Sequence, residues 1–278
     1  MAEITVHRGL FSDVDLHVED TGGSGRPVVL IHGWPLSGES WSKQVPALRE
    51  AGYRVISYDR RGFGRSDKPG RGYEYDTFTQ DLRSIIEALD LTDITLIGFS
   101  MGGGEVARYF GEYGADRIHS AVFASAVPPY LAKNDDNPDG PLDEATAGGM
   151  EKGLKDDRDA FFPEFVNNFY SVNGVLKVTQ QDVADANRLA QQSDQKAALG
   201  AMEAFGTTDF RDDLKKVTVP TLVIHGADDA IVPFEGSGER TAAAIPGSEV
   251  HVIADAPHGV NVSDADEWNR TVIAFLAK

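Results

Sequence analysis

Six short apolar and β-branched runs, 28–32, 54–58, 94–99, 118–124, 221–225 and 249–253, alternate with segments whose apolar residues recur at helical spacing. That alternation constrains the fold most. Parallel strands need a long crossover, usually a helix, so the pattern predicts an α/β chain with a mostly parallel central sheet flanked by helices. Several runs are apolar at nearly every position, as strands covered on both faces must be. Between two of them Leu82, Ile85, Ile86 and Leu89 fall at i, i+3, i+4 and i+7, one buried helix face. Stretches 4–7 and 15–20 read instead as an antiparallel hairpin at the sheet edge.

The rhythm stops between residues 128 and 212. This interval opens on Pro128-Pro129 and a loop of Asn, Asp, Pro and Gly at 134–141, then continues as helix-like pieces without a convincing strand. Its aromatics include Phe161, Phe162, Phe165, Phe169, Tyr170 and Phe205. Either they bury themselves in a small core of their own, or the interval caps the carboxyl ends of the strands and part of the set faces a ligand. With no repeats or linkers, the expected organisation is one α/β domain, with a core of 1–127 and 213–278 and a helical cap insertion at about 128–212.

Charge and cysteine usage narrow the function. The formal net charge is −18, so the average surface repels phosphate, which argues against nucleic acid and anionic membranes as partners. The interval 128–212 carries 16 acidic and 8 basic residues, which predicts a preference for neutral over anionic substrates. With no cysteine, disulfides, thiolate metal sites and cysteine nucleophiles are excluded. The first twenty residues lack the basic and apolar regions of a secretion signal, and no apolar run is long enough to span a bilayer. A soluble, cytoplasmic chain is expected.

Gly98-Phe99-Ser100-Met101-Gly102 fits G-x-S-x-G, preceded by the run ITLIG and followed by a helix-like stretch through Tyr113. A strand feeding a helix through this turn lifts a serine hydroxyl above the sheet, and flanking glycines let the chain reverse. Serine is a poor nucleophile at neutral pH and needs a base, which in turn needs an orienting acid. Among seven histidines, His7 and His17 lie in the N-terminal hairpin, His119 and His251 inside strands, and His32 and His225 at strand ends where they brace loops. His258, in a loop between the last strand and a C-terminal helix beginning near Asp264, is the candidate base. The acid should follow the run TLVIH, where Asp229 is preferred and Asp228 is read as a turn or capping residue. The order Ser100, Asp229, His258 is that of α/β-hydrolases rather than of chymotrypsin or subtilisin.

Acyl transfer also needs donors for the oxyanion. The Met101 N–H, at the start of a helix, is one candidate. The Trp34 N–H is the other, because Gly33 makes the turn and Pro35 has no N–H; alternatively Trp34 is simply a core aromatic. An aspartate nucleophile, as in dehalogenases and epoxide hydrolases, is ruled out by Ser100. Gly62-Phe63-Gly64-Arg65-Ser66-Asp67 breaks the dinucleotide fingerprint at its sixth position. No H-E-x-x-H or other useful ligand spacing is present, so neither metal nor cofactor is expected.

HGWPL at 32–36, SYDRRGFGRSDKP at 57–69, GFSMGG at 98–103, FGTTDFRDDL at 205–214, PTLVIHGADDAIVPFE at 220–235 and DAPHG at 255–259 together resemble the bacterial arylesterase, perhydrolase and cofactor-free (non-haem) haloperoxidase group of α/β-hydrolases. DDNPDG at 135–140 is similar to the γ-lactamase relatives of that group. The resemblance implies a Ser–His–Asp hydrolase with a small helical cap, no haem or metal, and often a homo-oligomer. It implies that Ser100, Asp229 and His258 are the triad, that Trp34 and Met101 form the oxyanion hole, and that Leu131, Phe165, Phe169, Phe205, Ile231 and Val232 line the pocket. Pro35 resembles the haloperoxidase and perhydrolase type. The implied chemistry is hydrolysis of small aryl or partly apolar esters through an acyl-enzyme, with water or hydrogen peroxide as acceptor. Amide or lactam opening and chloroperoxidase activity are the alternatives within the group, and a small-molecule receptor on the same scaffold is the alternative from another class.

Overall fold

The apolar runs form one eight-stranded sheet in a computed structural model that describes residues 2–8 and 11–278, with backbone alone for residues 2–4, 6–8, 11 and 12. The side chain of His7 therefore lies outside the described residues. In chain order the first elements are β1 (Ala2–Arg8), β2 (Phe11–Asp20), β3 (Pro27–Ile31), α1 (Gln44–Glu50), β4 (Arg54–Tyr58), α2 (Tyr75–Ala88), β5 (Ile94–Phe99), α3 (Met101–Tyr113) and β6 (Ile118–Ala124). The interval that follows contains α4 (Glu144–Asp156), α5 (Arg158–Phe169), β7 (Ser171–Val172), β8 (Val175–Leu176), α6 (Gln180–Gln191), α7 (Gln195–Thr207) and α8 (Arg211–Leu214). The chain closes with β9 (Thr221–Gly226), α9 (Gly238–Ala244), β10 (Glu249–Ile253), α10 (Val260–Ser263) and α11 (Ala265–Leu276).

The order across the sheet is β1-β2-β4-β3-β5-β6-β9-β10. β1 and β2 form the expected antiparallel edge hairpin, β2 joins β4 antiparallel, and every pairing from β4 to β10 is parallel. All six residues of β5 are buried, as a central strand with helices on both faces requires. α1 packs with α11, while α2, α3, α8 and α9 pack in succession as a second group. β4 lies on one side of β3 and β5 on the other, with Ile31 opposite Gly98. Where the winding reverses in this way, the loops leaving the two strand ends diverge and open a crevice.

The interval expected to lack strands holds one short hairpin, β7–β8, outside the main sheet. Its turn is Asn173-Gly174, both with positive φ. An Asn-Gly pair is the preferred two-residue hairpin turn, and two-residue strands are too short to show alternation. The DDNPDG stretch folds as a tight loop held by Asn137, whose side-chain amide donates to the Tyr130 and Ala132 carbonyls. No helix among the described residues is long and apolar enough to cross a membrane.

Candidate active site

Ser100 joins β5 to α3 with φ 54° and ψ −120°. For a non-glycine residue this conformation costs about 1–3 kcal/mol and persists only where surrounding structure enforces it. The enforcement is local packing. A Cβ on Gly98 would lie 2.5 Å from the Gly102 carbonyl oxygen, and one on Gly102 would lie 2.3 Å from that of Ile31. These glycines let α3 start against the ends of β5 and β3, which sets Ser100 in the wall of the cavity at the strand ends. The Ser100 backbone is pinned by N–H donation to Ala124 and by acceptance from Val127.

Asp229 lies three residues beyond β9 and His258 five beyond β10. His258 Nδ1–H donates to Asp229 Oδ2 at 2.7 Å. A carboxylate accepts only, so the proton sits on Nδ1, which leaves Nε2 bare to accept from Ser100 Oγ at 2.9 Å. The structure thus brings the three predicted side chains into one hydrogen-bonded chain. Asp229 Oδ1 accepts from the N–H groups of Ile231 and Val232 at 2.9 and 2.8 Å. Burial acts to raise the Asp229 carboxyl, but His258 and His225 beside it hold it well below the usual carboxylate range. Asp228 is exposed in a turn where no helix starts, so the turn half of its expected role holds and the capping half does not.

His225 does more than brace a loop. Its Nε2–H donates to the Val232 carbonyl at 2.8 Å and lies 3.2 Å from Asp229 Oδ2, so Asp229 sits between two imidazoles. The four-residue spacing of His225 and Asp229 was the available signal.

Among the described residues, neither the Trp34 N–H nor the Met101 N–H donates to a protein acceptor. Both belong to backbone at the crevice. The Trp34 loop is held from behind by His32, whose Nε2 accepts from the Arg60 N–H at 3.0 Å and whose Nδ1–H donates to the Gly33 carbonyl at 2.9 Å. Burial, reinforced by Arg60, pushes the His32 imidazole down to about 3, so it stays neutral in this tautomer. Arg60 also donates to the His32 carbonyl at 2.8 Å and pairs with the buried Glu105, which accepts from the Tyr58 hydroxyl at 2.6 Å. The indole of Trp34 is at the same time a core aromatic: it donates to the Ala198 carbonyl and packs edge-on against Phe162 and Phe165.

Ser100 and Trp34 open into a cavity of about 450 Å³, within the range of small-ligand sites. Leu131, Phe165, Phe205, Ile231 and Val232 line it as expected. Phe169 does not. It is buried behind the wall, edge-on to His258 with ring centroids 4.8 Å apart. Helical spacing explains the split. Phe161, Glu164, Phe165 and Asn168 share the face of α5 that meets the cavity, while Phe162, Val166 and Phe169 share the face turned into the core. Glu164 and Asn168 also reach the cavity, and their signal in the sequence is the three-residue spacing from Phe161 and Phe165 respectively rather than aromatic character.

The sequence profile of a family described as "alpha/beta hydrolase fold" matches residues 26–265. The chain belongs to the α/β-hydrolase fold family. A non-heme chloroperoxidase of Kitasatospora aureofaciens is 43% identical over 92% of this α/β-hydrolase and 94% of that protein. A bifunctional esterase/perhydrolase of Acinetobacter calcoaceticus is 35% identical over 95% of this chain and 96% of its own. Among solved structures, a bromoperoxidase from Bacillus anthracis superposes with a TM-score of 0.96 at 50% identity, covering 100% of this α/β-hydrolase and 99% of the other chain. The resemblance drawn from the motifs, to the esterase, perhydrolase and haloperoxidase group, is borne out by these relatives.

Proposed function

We propose that this α/β-hydrolase cleaves small carboxylic esters, aryl esters among them, through an acyl-enzyme on Ser100, with the helices between β6 and β9 as a cap over the site. The observation that carries this reading is the continuous Asp229–His258–Ser100 hydrogen-bond chain ending in a largely apolar cavity. As Ser100 Oγ attacks the ester carbonyl, its proton passes to His258 Nε2, and Asp229 stabilises the imidazolium that forms. Negative charge develops on the carbonyl oxygen, where the free N–H groups of Trp34 and Met101 serve as donors; Met101 adds the positive end of α3. The tetrahedral species collapses, His258 returns the proton to the leaving alcohol, and the acyl group stays on Ser100. Water then attacks, losing its proton to His258, and the carboxylate departs as Oγ is reprotonated.

The peroxidase names of the relatives fit the same cycle. Hydrogen peroxide attacking the acyl-enzyme in place of water releases a peracid, and the peracid converts halide to hypohalous acid while becoming a carboxylate. Halide oxidation on this account needs an acyl donor. The wild-type protein should release p-nitrophenol from p-nitrophenyl acetate in plain buffer, form peracetic acid once peroxide is added, and oxidise bromide only with peroxide plus an ester or free carboxylate. Bromide oxidation in peroxide alone, unaffected by exhaustive exchange into carboxylate-free phosphate buffer, would contradict the proposal.

A further inference from the structure

The cavity that holds Ser100 is apolar over most of its wall, with one charged exception. Glu164 lies on the cavity face of α5, exposed at the mouth, and Asn168 follows one turn later on the same face. No lysine or arginine lines the cavity among the described residues. The Glu164 carboxylate makes no hydrogen bond or ion pair with any described residue, unlike Glu151 on neighbouring α4, which pairs with Lys155. A full negative charge is thus held beside an apolar chamber with nothing on the protein to neutralise it.

We infer that Glu164 sets charge specificity: the site favours esters carrying a cationic group, such as an ammonium, on the portion that reaches the mouth, and discriminates against anionic ones. This rests on the serine esterase reading and adds to it the substrate class. The carboxylate offers the counter-charge, and the Asn168 amide oxygen offers a neutral acceptor beside it. The apolar chamber between the mouth and Ser100 then takes the uncharged remainder of the substrate. An anion placed at the same mouth meets repulsion from Glu164.

The test uses matched esters. On the alcohol side these are 3-(trimethylammonio)phenyl acetate, its isosteric neutral partner 3-tert-butylphenyl acetate, and 3-carboxyphenyl acetate. On the acyl side, p-nitrophenyl 4-(trimethylammonio)butanoate is compared with p-nitrophenyl 5,5-dimethylhexanoate. Values of kcat/KM are measured for the wild type, Glu164→Gln, Glu164→Lys and a control, Glu203→Gln. Glu203, on α7, lines a neighbouring cavity and not the one with Ser100. At low salt, Glu164→Gln should lower the cationic-to-neutral ratio about fivefold in at least one series, the size of one charge pair at contact distance in water. Glu164→Lys should invert the preference and improve the anionic ester, and 0.5 M salt should shrink every difference by screening. Glu203→Gln should leave the ratios unchanged. Ratios untouched by Glu164→Gln in both series, or moved equally by Glu203→Gln, would overturn the assignment while leaving the esterase reading intact. Failure of the wild type to hydrolyse any of the five esters would overturn both.

Discussion

Replacing Ser100 with alanine should lower kcat/KM for p-nitrophenyl acetate by about 10⁴-fold or more. The loss is large because three groups act as one unit. Without Oγ no acyl-enzyme forms, and the His258–Asp229 pair has nothing to deprotonate except water at a site built for another atom. The Trp34 and Met101 N–H groups stay in place, so a remnant above the uncatalysed rate is expected rather than zero. Steady-state kinetics on Ser100→Ala, His258→Ala and the double variant check this. The double variant should be no slower than either single one within a few fold, since a broken unit has little left to lose. Retention of most of the activity in Ser100→Ala would remove the serine from the mechanism.

Replacing Glu105 with alanine should destabilise the fold by about 3–5 kcal/mol. Arg60 is 1% exposed and Glu105 is fully buried, so truncating the carboxylate leaves a guanidinium in the core with no counter-charge. The remaining acceptor for Arg60 named above is the His32 carbonyl, which cannot neutralise it. Glu105→Gln keeps the shape and an acceptor oxygen and should cost less than the alanine. The effect reaches the site, because Arg60 and His32 together hold the loop that carries the Trp34 N–H. Urea denaturation checks the prediction: the midpoint should fall for Glu105→Ala with an unchanged slope. A shift worth under about 1 kcal/mol would mean that the pair is not the keystone of this loop.

How far these features were legible in the sequence depends on the range over which each is encoded. The runs at 54–58, 94–99 and 118–124 coincide with the buried strands β4, β5 and β6, because strands covered on both faces are rich in apolar residues, whereas the run at 249–253 coincides with β10, an edge strand whose Val250 and Val252 are exposed. Ser100, Asp229 and His258 were legible because each lies in a short loop just beyond a strand, and the parallel sheet lines those ends up. Arg60 and Glu105 were not. They are 45 residues apart, and a charge in a helix reads as a solvated face unless its partner is known. Glu105 stands one turn after Met101, both buried, so the inward face of α3 carried a signal that charge obscured. Phe169 was misplaced for a similar reason: being aromatic does not decide which side of α5 a residue occupies, whereas its seven-residue offset from Phe162 does.

The central claim is that acyl transfer passes through a covalent bond to Ser100, and the most direct test is to catch that bond. The wild-type protein would be mixed with p-nitrophenyl pivalate, whose bulky acyl group slows deacylation, quenched in acid, and mapped by peptide mass spectrometry. The account predicts one pivaloyl group per chain, located on Ser100, appearing with a stoichiometric burst of p-nitrophenol and absent from Ser100→Ala. Steady turnover of that ester with no adduct at Ser100, or an adduct on another residue that forms equally in Ser100→Ala, would contradict it.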